Sequence, residues 1–476
     1  MKGCRAAVAW VGVSALVIGA GGCSAVGPSY HGPPAAAIAN APAAREAFVS
    51  ASGPAFSEET APSAWWRLYD APPLDDLVKE VLGANTDLRE ARANLERSAA
   101  LLREAIAQRQ PSVEINTTPS YQQLSAASYL HSGYVAPLGL YDVGLSVSYD
   151  LDLFGRLRRA VEAASADDEA VKAAYDLTQV NVAAEVARAY ADVCDAGEQL
   201  AVARHSLQLQ RESAEVTRRL VEAGRSPRLD FTRSSELVAQ ISANIPKLEA
   251  QRINALYRLA ALTGRPPADY PRSVESCATA PRLAGPLPVG DGAALLRRRP
   301  DVREAERLLA AATARIGVTT ADLYPQVTLG ASAGSTGALS DVLTRPTNRF
   351  GLGIGIHWQA NQSVARARIA QANAAAQLAL ARFDGVVLTA LRDTESALTT
   401  YAHDLQRDDD LAAAQARALE AEREADQLYR AGKIDFLSLL DAQRTLDAAE
   451  DALAASHAEQ ATDQVRIFLT LGGGWQ

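Results

Sequence analysis

Val143-Gly-Leu-Ser-Val-Ser-Tyr-Asp-Leu-Asp152 alternates without a break, with Val143, Leu145, Val147, Tyr149 and Leu151 on one face. The other face carries only Gly, Ser and Asp. A sustained period of two predicts a β-strand. From Arg156 the pattern changes: there is no Pro and almost no Gly until Gly224. Within that stretch Leu177, Val180, Ala184, Ala187, Ala191 and Cys194 step by threes and fours, a coiled-coil seam of mostly small side chains. At 1.5 Å per residue the predicted helix is a rod of about 100 Å. A compact domain holds no partner for such a rod.

On either side of this stretch the same plan occurs twice. Helical periodicity runs from about Leu74 to Gln108 and leads to a Pro-bounded strand at 113–121. After the strand at 143–152 come long helices predicted at 156–222 and 230–262. In the second half Arg299-Pro300-Asp301 opens a helix, with Asp301 and Glu304 at capping-box spacing. Strands are predicted at 326–333 and 351–358, the latter with Leu352, Ile354, Ile356 and Trp358 on one face. Long helices follow at 363–430 and 436–471. Leu157 to Asp176 lies over Ala365 to Asp384 at an offset of 208, which also places Ala223-Gly224 on Ala431-Gly432. Asp230-Phe231 then meets Asp435-Phe436 after a three-residue difference in the loop. An internal duplication accounts for this. The chain divides into a leader (1–22), an extended segment (23–73), a first repeat (74–264), a Pro/Gly-rich linker (265–292) and a second repeat (293–476).

The 476 residues would make about three ordinary domains, but composition argues against thick globular cores. Hydrophobic residues make up 48% and aromatics only 6%, so Ala-rich helices in close contact are expected. Disorder is excluded by that apolar content. A net charge of −9 argues against a nucleic-acid partner held by bulk charge. Lys2 and Arg5 precede an uncharged apolar stretch, Ala6 to Ala20, that ends in Gly21-Gly22-Cys23. This reads as a secretion signal. Cys194 and Cys277 remain in the mature chain. Pairing is open to them in an oxidising compartment, but Cys194 lies among small helical residues and is expected to act as a small buried apolar side chain.

Strands with one apolar and one Gly/Ser/Thr/Asp face suit a lipid-facing barrel with a wet lumen, although a sheet over a soluble core would alternate too. The secretion signal, the polar loops and the long rods favour the membrane. Four strands cannot close a barrel alone, and open edges are not tolerated in lipid. Several protomers must then share one barrel, with the helices forming a second, longer barrel beneath it.

The motifs resemble those of the TolC-like outer-membrane efflux proteins, and more closely their lipidated OprM/NodT-type branch serving RND-type pumps. The match begins with Cys23, Val26-Gly27-Pro28 and Tyr30, and continues through Trp65-Trp66, Asp70, Leu74, Leu77, Asn85, Asp87-Leu88 and Ala91. Tyr149-Asp-Leu-Asp-Leu-Phe-Gly-Arg156 is similar to the family's strand-to-helix junction, and Leu295-Leu-Arg-Arg-Arg-Pro-Asp301 to its midpoint signature. Tyr324-Pro325, Leu440-Asp-Ala-Gln-Arg444 and Leu471-Gly-Gly-Gly-Trp475 complete it. The second-half join departs from the family: His357-Trp-Gln-Ala-Asn-Gln362 stands in place of a Pro turn and Gly pair.

The resemblance implies a homotrimer whose twelve-stranded barrel, four strands per protomer, continues into a periplasmic α-helical barrel with an equatorial domain. It implies an exit duct, not an enzyme, with no cofactor or metal, lipid-anchored in the outer membrane by acyl chains on Cys23. The implied partners are a periplasmic adaptor, docking at the Gly224 and Gly432 tips, and an inner-membrane RND-type pump. Type I protein secretion or heavy-metal cation efflux is the alternative cargo. By the same resemblance Leu437, Asp441, Arg444 and Tyr429 form the periplasmic gate; by spacing alone, Leu437, Asp441 and Arg444 are one solvated face of a helix. Gly330-Ala-Ser-Ala-Gly334 fits a nucleophile pattern, but Ser332 lies in an alternating segment with no helix after it. Gly351-Leu-Gly-Ile-Gly355 likewise reads as strand, His403 and His457 stand alone, and Asp408-Asp409-Asp410 reads as a solvated helix face.

Overall fold

The structure, a computed structural model, describes residues 25–473 apart from 35, 36, 124, 126, 128–131, 280 and 284. The leader and Cys23 lie outside the described residues. In chain order the elements are α1 (Pro72–Ala84), α2 (Thr86–Ala107), β1 (Ser112–Gln122), β2 (Leu138–Asp150), α3 (Arg156–Glu222) and α4 (Arg228–Leu262). There follow α5 (Gly292–Arg298), α6 (Pro300–Ala321), β3 (Gln326–Ala338), β4 (Asn348–His357), α7 (Ser363–Arg430) and α8 (Phe436–Thr470). They fall into two compact units. One takes residues up to Pro33, Leu95–Val171 and Ala305–Phe383; the other takes Pro34–Asn94, Lys172–Glu304 and residues from Asp384 on. The sequence repeats are therefore not compact units: each unit draws on both.

The first unit holds an antiparallel sheet in the order β1-β2-β3-β4. Its register aligns the apolar positions across all four strands. Ile115 faces Leu145, Leu145 faces Ala333 and Ala333 faces Phe350. One row along, Val113, Val147, Ala331 and Leu352 are matched in the same way. Phe350 is 93% exposed and Leu352 87%, so this face finds no cover among the described residues. The opposite face carries Asp142, Gly144, Ser146, Thr336, Arg349 and Gly351, with Arg349 paired to Asp142 at 2.7 Å. Strands β1 and β4 each leave an edge unpaired among the described residues. Pro119 is accommodated because β1 is such an edge. Strands β2 and β3 are longer than alternation predicts, since Gly, Ser and Thr give little hydropathic contrast. Ser332 sits mid-strand opposite Ser146 and Gly351, which rules out a nucleophile elbow there.

The strand-to-helix junctions differ between halves. Asp152, at φ 45°, accepts the N–H groups of Leu157 and Arg158 (2.9 Å each) and so caps α3. In the second half Asn361 accepts the Ser363 N–H at 3.1 Å, while Trp358 and Gln362 donate to the Leu323 carbonyl. The chain after Cys23 is strapped onto this unit: buried Arg159 donates to the carbonyls of Val26 and Gly27 and to Ser29. A Cβ on Gly27 would lie 2.5 Å from Gly317 Cα, which explains a glycine at that opening motif.

The second unit holds the larger core. Trp65 is fully buried and stacks on Phe468 with ring centroids 4.7 Å apart, joined by Leu74, Val78, Leu256, Leu398 and Ile467. The predicted extended segment is therefore partly core, because Trp65, Trp66 and Tyr69 form a buried 3-10 turn. The helix predicted from Leu74 to Gln108 breaks at Asn85, whose side-chain carbonyl oxygen accepts from the N–H groups of Asp87 and Leu88 while its amide donates to the Leu262 carbonyl. The capping box expected of Asp301 and Glu304 does not form. Asp301 turns back to Arg299 at 2.6 Å, and Arg299 in turn reaches the Thr470 carbonyl at 2.7 Å. One expectation is corrected outright: Cys194 and Cys277 form a disulfide. Cys194 is also fully buried, but the midpoint linker returns across α3 closely enough to place Cys277 against it. A Cβ on Gly197 would meet the Cys277 carbonyl at 2.1 Å.

Candidate functional site

The α3–α4 and α7–α8 turns are built alike. Gly224 and Gly432 both have φ 68°. Arg225 N donates to Leu220 O and Gly224 N to Val221 O; Lys433 N donates to Leu428 O and Gly432 N to Tyr429 O. These are two Schellman caps, each needing a left-handed residue that only glycine supplies without strain. A Cβ added to either glycine would meet no atom within 4 Å, so both glycines face open space.

Beyond the second turn, Asp435 caps α8 by accepting from the Ser438 N–H (3.0 Å) and hydroxyl (2.6 Å). The Ser438 hydrogen bonds hold its carboxyl below the usual range. Phe436 and Leu440 then turn inward to Leu207, Leu237 and Ile241. Tyr429 packs edge-on against Phe436 at 5.8 Å, and burial with nearby Asp230 pushes its hydroxyl up. With that face committed, Leu437, Ser438 and Asp441 are left on the outer stripe, Leu437 being 48% exposed. Of the predicted gate residues the structure thus brings Leu437 and Asp441 together, one helical turn apart. Tyr429 faces the packed side. Arg444 borders the stripe and reaches Glu236 of α4 at 3.0 Å.

Motif and spacing do not single out Glu236, although the duplication points to it. Past the three-residue loop difference, Glu236 is the repeat mate of Asp441 and Thr232 that of Leu437. Asp447 carries no sequence signal either. Burial and the acids Glu450, Asp451 and Glu422 push its carboxyl up to about 6, against a hydrogen bond from Ser206.

An open four-stranded sheet with an uncovered apolar face, joined to helix hairpins with glycine-capped turns, defines a subunit of an outer-membrane channel. The sequence profile of the outer membrane efflux protein family matches residues 77–265 and 293–473. The chain belongs to that family. The antibiotic efflux pump outer membrane protein ArpC of Pseudomonas putida is 31% identical over 97% of this chain and 94% of its own length. Nodulation protein T of Rhizobium leguminosarum bv. viciae is 29% identical, covering 88% of this chain and 85% of its own. Among solved structures the outer-membrane channel OprN is similar with a TM-score of 0.88 and 34% identity, over 94% of this chain and 99% of its own. The protein is an outer-membrane efflux component, and its family is one of channels.

Proposed function

We propose that three copies of this chain close one twelve-stranded barrel and serve as the exit duct of a tripartite efflux system for drugs or other small toxic compounds. The observation that carries the reading is the β1–β4 sheet. Its exposed row of Ile115, Leu352, Phe350 and Ile356 needs lipid, and its two open edges need neighbouring copies. Burying those edges against the same edges of two more chains leaves no strand unpaired. The polar face, with Asp142 and Arg349, then lines water.

The Gly224 and Gly432 turns are the docking points for a periplasmic adaptor, and an inner-membrane RND-type pump supplies the energy. Leu437 and Asp441 form the closing ring, with Arg444 and Tyr429 holding the helices that carry it. Three carboxylates converging on a narrow pore repel one another and favour cations. Cys23 carries the acyl chains; more than one is needed for a stable anchor. The test is a heat-modifiable trimer band in outer-membrane fractions, with crosslinked adaptor recovered through residues beside Gly224 and Gly432. A monomer in the soluble fraction would overturn the reading. Palmitate labelling is expected to vanish in Cys23→Ala.

A further inference from the structure

Helices α3, α4, α7 and α8 also line a cleft of about 580 Å³ within the second unit, and α8 reaches it several turns after the gate stripe. Its charged lining is lopsided: Asp192, Asp195, Asp404, Glu459 and Asp463 face a single cation, Arg258. That cation is already engaged by Asp192 at 2.7 Å, and Glu459 is engaged by Arg407. Asp195 and Asp404 then have no ion pair among the described residues, and Asp463 has only Arg466 near it.

Two of these are deeply placed. Asp195 is 6% exposed and Asp463 8%, yet Asp195 Oδ1 and Asp463 Oδ2 have no hydrogen-bond partner among the described residues. Buried acceptors without donors destabilise a fold, so such oxygens call for a donor from elsewhere. The groups around them are mostly acidic too. Asp192 and Glu198 of α3 and the Tyr69 hydroxyl lie near Asp195, while Asp404 of α7 and Glu459 and Arg466 of α8 lie near Asp463. Burial first, then the neighbouring acids, pushes Asp195 up to about 7. Burial and a shared hydrogen bond with Asp404 raise Asp463.

The cleft is much larger than a metal ion, and no group of three or more His, Cys, Asp or Glu among the described residues could hold one. Its remaining walls suit an organic chain: Ala196, Ala255 and Ala458 leave room for methylenes, and Gln199, Gln251 and Asn254 offer neutral hydrogen bonds. We propose that this cleft binds a small organic polycation, its ammonium groups held by Asp195 and Asp463 and its methylenes set against the alanines. The proposal requires neither the gate nor the trimer.

Spermidine is the probe, titrated calorimetrically into the detergent-purified full chain at pH 8, with magnesium chloride in a parallel arm. Saturable binding is expected, weakened roughly tenfold or more in Asp195→Asn and in Asp463→Asn, which keep side-chain shape. Asp409→Asn, an exposed acid on α7, is expected to bind as the parent does. Thermal unfolding of the unsubstituted chain gives a second reading: spermidine should raise the midpoint and magnesium at equal concentration should not. The proposal is overturned by absent saturable binding, by undiminished binding in Asp195→Asn, or by magnesium acting as well as spermidine.

Discussion

The two helix hairpins descend from one sequence plan and share the two Schellman hydrogen bonds of their turns, yet they differ along the helices that follow. In the first hairpin Glu236 is neutralised by Arg444, and α3 is fastened to the midpoint linker through Cys194–Cys277. In the second, Asp441 takes no ion pair among the described residues, and Ala402 occupies the position that matches Cys194. Thr232 becomes Leu437, and Ser242 becomes the titratable Asp447. The first hairpin has been fixed in place. The second shares the Arg444–Glu236 pair but has no disulfide, and it carries an exposed Leu437 beside Asp441. The gate proposed on α8 rather than α4 is in keeping with this difference.

The hardest test of that asymmetry is functional. Replacing Leu437 and Asp441 together with Ala should make the channel leaky, read as antibiotic entry and raised single-channel conductance. The mates Thr232 and Glu236 replaced in the same way should leave conductance nearly unchanged. Equal leakage from both pairs would erase the distinction. Next in size is the staple. Cys194→Ala with Cys277→Ala should cost about 2–4 kcal/mol, seen as a lower unfolding midpoint that added reductant no longer changes.

The turns themselves should behave as twins. Gly224→Ala and Gly432→Ala each force a Cβ into the left-handed region, at about 1–2 kcal/mol apiece. Unequal losses in thermal unfolding would mean that one turn carries contacts the other lacks. The smallest effect concerns pH. Asp447 ionises near its ordinary value of 3.8 when unfolded but near 6 in the fold. The folded state therefore binds the extra proton, and this contribution is present below about pH 4 and lost as pH rises to about 6. Asp447→Asn should flatten that slope in a pH series of unfolding midpoints, whereas Ser242→Asn should not alter it.

Much of this architecture was legible because its signals are long. The α3 limits follow from Gly155 and Gly224, and those of α7 from Asn361 and Gly432, since nothing between them interrupts a helix. Short-range chemistry was harder to read. Asn85 ends one helix and starts another with a single side chain, and only its bond to Leu262 reveals why the break is worth making. The Cys194–Cys277 pair depended on where a Pro-rich linker returns, which periodicity does not encode. Leu437 and Asp441 stood out through spacing and resemblance. Their isolation from any counter-charge needed the Arg444–Glu236 bond, an interaction between halves of the chain.

The interleaving of the two units bears on how the protein is made. Each unit is stitched from three separated stretches, and the first still lacks its last strand until β4 has been delivered. Neither unit can complete itself as the chain emerges in order. An early β1–β2 hairpin must wait, with one edge of β2 unpaired, for partners encoded nearly two hundred residues later. Such long-range pairing is slow and prone to aggregation. Until β3 has been made, the free edge of β2 is open to pairing with another copy of the chain.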